Sequence, residues 1–260
     1  MQRIKRHARD SASRGIFVTG TDTGVGKTLV VSALVVRLVQ GGIDVGVMKP
    51  IETGVARSPK AQSDAARLRR AAGSHDPIAE VCPYVFRLPV APLSASEEER
   101  TTVQVTRIIR VFRSLSRKHA LMMVEGAGGV FVPITQVYKV IDLMYKMKLP
   151  AVVVGQSGLG GINQALLTIH ALRLRKIPVV ALVLNQRRPV QTKTARTQEQ
   201  STMCLLRRLA GVPVVGPLPY SPTVNLNWNE GLVRLAETAP ITKLAKLVLA
   251  SARGTISRRG

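Results

Sequence analysis

Nine residues near the start of the chain, Gly20–Thr28 (GTDTGVGKT), end in Gly-Lys-Thr. They follow the apolar run Ile16-Phe17-Val18 and lead into LVVSALVVRLV. A glycine-bearing turn between a strand and a helix offers backbone N–H groups and a helix N-terminus to a polyphosphate. Lys27 is placed to reach the β- and γ-phosphates, and the Thr28 hydroxyl to ligate Mg²⁺. The first glycine, Gly20, comes one residue earlier than in the common pattern, and Thr21 takes the place expected for it. A chance Gly-Lys-Thr in a turn is the alternative, and the strand and helix flanks speak against it.

Three further polar groups interrupt apolar context. VMKPIETG puts Lys49 at the end of a strand, the edge where an open α/β sheet binds ligands. On its own that lysine is equally consistent with a solvated side chain. VEGAGGVFVP puts Glu125 at another strand end, before glycine-rich turns, where an acid suits a metal bound to phosphates. QSDAARL contains Asp64, which alone reads as a helix N-cap or a surface acid.

Elements must exist to bring these residues together. Short, Val-rich runs apolar throughout predict strands at Gly15–Thr19, Asp44–Met48, Leu121–Val124, Ala151–Val154, Val179–Leu184 and Pro213–Gly216. Between them the apolar spacing predicts helices at Thr28–Gln40, Gln136–Lys148, Asn163–Arg175, Thr194–Leu209 and Asn229–Ala252. Gly41-Gly42 stops the first of these. Ser96 with Glu99 predicts a capping box ahead of a helix to about Arg117, with Val105, Ile108, Ile109, Phe112 and Leu115 on one face. The alternation predicts a single doubly wound, mostly parallel sheet flanked by helices, of the P-loop NTPase type. The expected division is a basic tail over 1–14, one α/β domain over 15–252 and a C-terminal tail over 253–260. The stretch Ile51–Glu99 is the least regular and is expected to carry loops at the active edge.

Bulk properties exclude several classes. An apolar content of 45% over 260 residues is too high for a disordered chain. Aromatics at 3% are too few for base-stacking platforms. No apolar run approaches the roughly 18 residues of a membrane span, and the basic start has no apolar segment of a secretory signal. Cys82 and Cys204 are isolated, and His7, His75, His119 and His170 show no ligand spacing, so both sets read as structural or idle side chains in a reducing cytoplasm. The net charge of +23 is concentrated in the tails, in Arg57–Arg70 and in Arg187–Arg208. It fits either non-specific attraction of nucleic acid or a basic surface that draws in anionic substrates.

FVTGTDTGVGKT, KPIETG, SDAARL, CPYVF, VEGAGG, GLGGINQALLT and LNQ occur in an order that resembles the dethiobiotin synthetase family, over about Phe17–Gln186. The resemblance implies that 7,8-diaminononanoate, CO₂ and ATP give dethiobiotin, ADP and phosphate through a carbamate and a carbamic-phosphoric mixed anhydride. It implies nucleotide contacts from Thr23, Gly24, Val25, Gly26, Lys27, Thr28 and Leu29, and a catalytic role for Lys49 with Lys27. Asp64 and Glu125 match ligands of Mg²⁺ and ATP, with Thr28 completing the metal set. Gly126, Ala127 and Gly128 match a loop at the phosphates. Asn185 and Gln186 match the adenine side, and Pro219, Tyr220 and Ser221 a loop closing over the base. Thr53 matches a substrate contact, and Gly161, Ile162 and Asn163 a helix start binding the substrate carboxylate across a homodimer. The implied enzyme is a cytoplasmic biotin-biosynthetic ligase without specific nucleic-acid or membrane partners. Gln164, Val130 and Leu93 depart from residues frequent in the family, and all three bear on the shape of the substrate pocket. A partitioning-type ATPase is the main rival, but its signature lysine early in the loop is replaced by Asp22.

Overall fold

A computed structural model describes residues 14–56 and 63–257. Residues 1–13 of the expected tail over 1–14, the last three residues of the expected tail over 253–260 and the 57–62 part of the basic stretch lie outside the described residues.

The chain runs β1 (Gly15–Gly20), α1 (Lys27–Gln40), β2 (Val45–Met48), β3 (Ile51–Glu52), α2 (Asp64–Ala71), α3 (Ile78–Val81), β4 (Tyr84–Val85), α4 (Pro92–Glu98) and α5 (Val105–Lys118). It continues through β5 (Leu121–Gly129), α6 (Val140–Met147), β6 (Ala151–Gln156), α7 (Gly161–Leu174), β7 (Val179–Asn185), α8 (Lys193–Leu209) and β8 (Val214–Leu218). Three helices close it: α9 (Pro222–Leu226), α10 (Trp228–Ala236) and α11 (Ala239–Ser257). Six strands form one sheet in the order β2-β5-β1-β6-β7-β8, with every pair parallel. β3 and β4 form a separate two-stranded parallel pair.

The period-2 alternation of strand side chains decides which groups face which layer. Phe17, Met122, Val124, Val153 and Leu182 enter one core with α5, α6 and α7. Ile16, Val18, Met123, Val152 and Val183 enter the other with α1, α10 and α11. Val47 on β2 and Met123 on β5 belong to the second core, so Lys49 and Glu125, two residues further along, emerge on the α1 side. That parity aims both charged groups at the phosphate loop.

The structure differs from the sequence expectation in three helices. Ser96 and Glu99 form no capping box. Ser96 lies inside α4 and donates to the Leu93 carbonyl, while the Glu99 carboxylate accepts from the Arg87 and Leu88 N–H groups. The helix expected from Ser96 therefore starts only at Val105. The helix expected from Gln136 begins at Val140, because the preceding residues form a tight turn in which the N–H groups of Ile134 and Thr135 bond the Tyr138 carbonyl. The long terminal helix is two, α10 and α11, broken at Glu237–Thr238. Pro240 explains the break, since it has no N–H to donate and fits only a first helical turn. α11 then runs on to Ser257, past the expected end at Ala252.

Candidate active site

The phosphate loop leaves β1 at Gly20 and enters α1 at Lys27. Gly24 (φ 70°) and Gly26 (φ 96°) are left-handed, which turns the chain tightly enough to curl around a ligand. A side chain at Gly26 is excluded twice, since its Cβ would fall 2.2 Å from the Asn185 amide nitrogen. Asn185 is 160 residues away in sequence, and its Nδ2 donates to the Val25 carbonyl at 3.0 Å. Its Oδ1 is buried and has no hydrogen-bond partner among the described residues. Lys27, 7% exposed, folds back to donate to the Asp22 carbonyl at 3.0 Å. Burial pulls its pKa down from 10.5 to about 8; Glu125 partly restores it and the Lys49 charge depresses it further.

Lys49, Asp64, Glu125 and Thr28 meet directly. The Lys49 ammonium donates to Asp64 Oδ2 at 3.0 Å and to Glu125 Oε1. Thr28 Oγ1 donates to the same Glu125 oxygen at 2.9 Å. Glu125 is 1% exposed and Lys49 4%. Burial alone would lower the Lys49 pKa, but the Glu125 and Asp64 carboxylates outweigh it and hold it above the ordinary lysine value. For Asp64 burial opposes ionisation, and the Lys49 charge and hydrogen bond win, keeping its pKa low. The other Glu125 oxygen, Oε2, is buried without a hydrogen-bond partner among the described residues. A buried acceptor left so at the mouth of a phosphate loop suits a ligand.

This donor set fits a hard divalent cation. Among the described residues no three His, Cys, Asp or Glu side chains group as a metal cage. Two carboxylates and one hydroxyl beside a phosphate loop match a Mg²⁺ ion that shares its coordination with phosphate oxygens and water.

Asp64 is not the N-cap that its sequence context allowed. Ser63 caps α2 by accepting the Ala66 N–H at 3.1 Å, and Asp64 is the first helical residue. One buried acid escaped the sequence reading. Glu52, 6% exposed, accepts the N–H groups of Asp64 and Ala65. Burial raises its pKa against the lowering effect of the Ala65 N–H. The available signal was a single acid in KPIETG just past a lysine-tipped strand.

The remaining expected residues make no hydrogen bond to this cluster among the described residues. Gly126–Gly128 continue β5 beneath the loop, where a Cβ on Gly128 would come 3.4 Å from Thr23 Oγ1. Gln186 accepts the Tyr220 N–H at 3.0 Å, which fastens the Pro219–Ser221 turn to the end of β7. Glu199 of α8, also missed in the sequence, accepts from Ser157 Oγ and Gln186 Nε2. Thr53 follows β3 and is partly exposed, and Leu29 lies in the first turn of α1. Gly161, Ile162 and Asn163 start α7 after Gly160 (φ 84°), with Asn163 exposed. β6, which feeds this turn, is three places from β2 in the sheet, so the turn is not brought to Lys49 within one chain. Of the three departures, Val130 is a core residue, Leu93 is held by its N–H on the Pro133 carbonyl, and Gln164 lies in the first turn of α7.

A wholly parallel, doubly wound sheet with a phosphate loop between β1 and α1 defines a P-loop nucleoside triphosphatase fold. A family profile described as an AAA domain matches residues 14–227. The solved MinD cell division ATPase of Pyrococcus furiosus superimposes with a TM-score of 0.52 at 14% identity, covering 95% of this chain and all of that one. That likeness concerns the fold. Sequence relatives are more specific. ATP-dependent dethiobiotin synthetase BioD of Anaeromyxobacter dehalogenans (strain 2CP-C) is 45% identical over 177 residues, 68% of this chain and 78% of that protein. The protein of that name from Anaeromyxobacter sp. (strain Fw109-5) is 36% identical over 245 residues, 94% of this chain and 99% of its own. The chain belongs to the ATP-dependent dethiobiotin synthetase family.

Proposed function

We propose that the chain uses ATP to close 7,8-diaminononanoate and CO₂ into dethiobiotin. The observation that carries the reading is the Lys49–Asp64–Glu125–Thr28 cluster at the mouth of the phosphate loop, in a chain of this family. One substrate amine captures CO₂ as a carbamate. The carbamate oxygen attacks the γ-phosphate, the bond to the β–γ bridging oxygen breaks and ADP leaves; the second amine then attacks the carbonyl carbon of the mixed anhydride, closes the ureido ring and expels phosphate. No protein nucleophile is needed, only cations where negative charge grows. Lys27 serves the nucleotide phosphates and Lys49 the reacting oxygens. Thr28, Asp64 and Glu125 hold Mg²⁺, which when bound adds positive charge at the phosphates. The unpartnered Asn185 Oδ1 suits the amino group of adenine, with Gln186 and the Pro219–Ser221 turn alongside.

The substrate carboxylate goes to the α7 start, Gly161–Asn163, where the Gly161 N–H bonds the Gly158 carbonyl and the Ile162 and Asn163 N–H groups, which have no carbonyl within the helix, face the carboxylate. In this reading the turn comes from a second copy in a homodimer. Phe131, Val137, Tyr145, Leu159, Leu167 and Leu174 are exposed apolar side chains, as such an interface requires. No helix of the described residues is long and apolar enough to cross a membrane, which is compatible with a cytoplasmic enzyme.

The test is product detection. Protein, diaminononanoate, bicarbonate, Mg²⁺ and ATP are incubated, and dethiobiotin is sought by mass spectrometry with ADP formed in equal amount. ATP turnover that yields no dethiobiotin but is stimulated by DNA or lipid would favour a switch ATPase instead.

A further inference from the structure

We propose that Glu52 is a positioning residue for the metal site: by accepting both leading N–H groups of α2, it fixes the main chain of Asp64 so that the carboxylate meets the cation at the phosphate loop. The proposal rests on the reading of Thr28, Asp64 and Glu125 as the cation ligands.

Asp64 sits on the first residue of a short helix, just past a stretch that begins at Thr53 and includes no regular element among the described residues. A ligand in that position is only as well placed as the helix start that carries it. A helix leaves its first N–H groups without intrahelical partners, and such ends fray unless side chains take them up. Here all three leading donors are accounted for. Glu52 Oε1 accepts from Asp64, Glu52 Oε2 accepts from Ala65 at 3.0 Å, and Ser63 Oγ accepts from Ala66 at 3.1 Å. Ser63 is the local cap that sequence rules describe. Glu52 is not local. It reaches the helix from β3 across the intervening stretch, so it ties the helix start to the strand segment that carries Lys49.

The geometry makes Asp64 a residue held twice by one short segment. Lys49 takes its carboxylate, and Glu52, three positions on, takes its N–H. Two contacts from one segment set both the position and the direction of the ligand. The same geometry occupies the α2 N-terminus, so that helix end is not a phosphate site. Glu52 itself is buried, and among the described residues its hydrogen bonds go to the Asp64 and Ala65 N–H groups and not to Thr28, Glu125 or Lys49, so it acts through Asp64 and not as a ligand. Partners of this kind, one shell out from a metal ligand, typically change metal affinity by about 10–100-fold when lost.

The experiment uses the full chain and Mn²⁺ as the paramagnetic probe. Free and bound Mn²⁺ are counted by electron paramagnetic resonance in the presence of saturating ADP. ADP affinity is measured separately by calorimetry without metal. Glu52→Gln keeps the shape but replaces one acceptor oxygen by a donor that faces an N–H. The expected result is an affinity for Mn²⁺ at least about tenfold weaker, with metal-free ADP affinity changed less than about twofold. Glu52→Asp keeps the charge and shortens the reach, and is expected to weaken Mn²⁺ in the same direction, which covers the case in which the Gln variant does not fold. In Asp64→Asn protein, adding Glu52→Gln should weaken Mn²⁺ no further, because the two residues act on one ligand. Mn²⁺ affinity within twofold of wild type in both Glu52 variants overturns the proposal. So does full additivity with Asp64→Asn, or an equal loss of metal-free ADP binding. If instead Asp64→Asn alone leaves Mn²⁺ binding unchanged, it is the ligand reading that fails, and the proposal with it.

Discussion

β2 is four residues long and has a charge cluster at each end. Beyond its C-terminal end, Lys49, Asp64, Glu125 and Thr28 form the phosphate-edge cluster. Before its N-terminal end, Asp44 meets His119, which also meets Asp76. His119 Nδ1 lies 2.8 Å from Asp44 and Nε2 2.7 Å from Asp76. Lys118 adds contacts to Asp76 and Glu80, and Ser74 donates to Asp76. Two carboxylates facing the two ring nitrogens favour the imidazolium form of His119, in which both nitrogens donate. Its pKa rises although its partial burial works the other way. The difference between the two ends is one of completeness. Each titratable group in the His119 cluster has its partners, and together they tie the start of β2, the turn before α3 and the end of α5. At the other end a buried Glu125 oxygen has none, and the loop lysine turns back on its own backbone. Charge that is fully answered within the chain holds the fold, and charge left partly unanswered waits for a ligand.

The largest expected effect comes from the incomplete end. Lys49→Ala should cut the rate of dethiobiotin formation by about 10²–10³, as loss of one electrostatic contact to a transition state does. Near wild-type turnover would move Lys49 out of the reaction and make the two clusters alike. A smaller effect sharpens the contrast by pH. Lys27 must carry its proton to bind phosphate, and without nucleotide its pKa is about 8. ATP affinity measured by calorimetry should therefore be flat below that value and fall by about tenfold per unit as pH rises above it. A flat profile from pH 7 to 10 would show that the burial of Lys27 does not govern binding.

The smallest effect belongs to the complete end. His119→Gln should leave turnover unchanged and lower stability by about 1–2 kcal/mol, the scale of charge-assisted hydrogen bonds discounted for the exposed Asp44. Because the folded pKa of His119 is raised, its contribution is full below the ordinary value of 6.5 and fades as pH rises through the folded value. The gap in Tm between wild type and variant should accordingly narrow at alkaline pH. A constant gap, or a loss of turnover, would break the division of labour between the two ends.

Much of the phosphate edge was legible because its parts obey short-range rules. Strand runs apolar throughout identified the parallel sheet, and strand-end placement drew notice to Lys49 and Glu125, although Lys49 alone read equally well as a solvated side chain. Glu52 and Glu199 were not legible, since each acts through main-chain or side-chain bonds to residues far along the chain. The Ser96/Glu99 pair shows the converse failure. Its spacing satisfied the capping rule, but Pro92 at the start of α4 had already begun a helix, and Glu99 was drawn to the Arg87 and Leu88 N–H groups. The break before α11 was written in Pro240 and was obscured by the apolar repeat continuing on both sides of it.

The position of β1 has a consequence for how the molecule comes into being. The first strand of the described residues occupies the middle of the sheet, and its two neighbours are β5 at residues 121–129 and β6 at residues 151–156. Ile16, Phe17 and Val18, all fully buried in the end, are not flanked on both strand edges until β6 has been made. Long-range parallel pairing of this kind is slow, because loop closure must precede the contacts that reward it. The phosphate loop hangs from that strand, so nascent chains acquire nucleotide affinity late, and a shortened chain ending before β6 should expose an aggregation-prone strand instead of a weak enzyme.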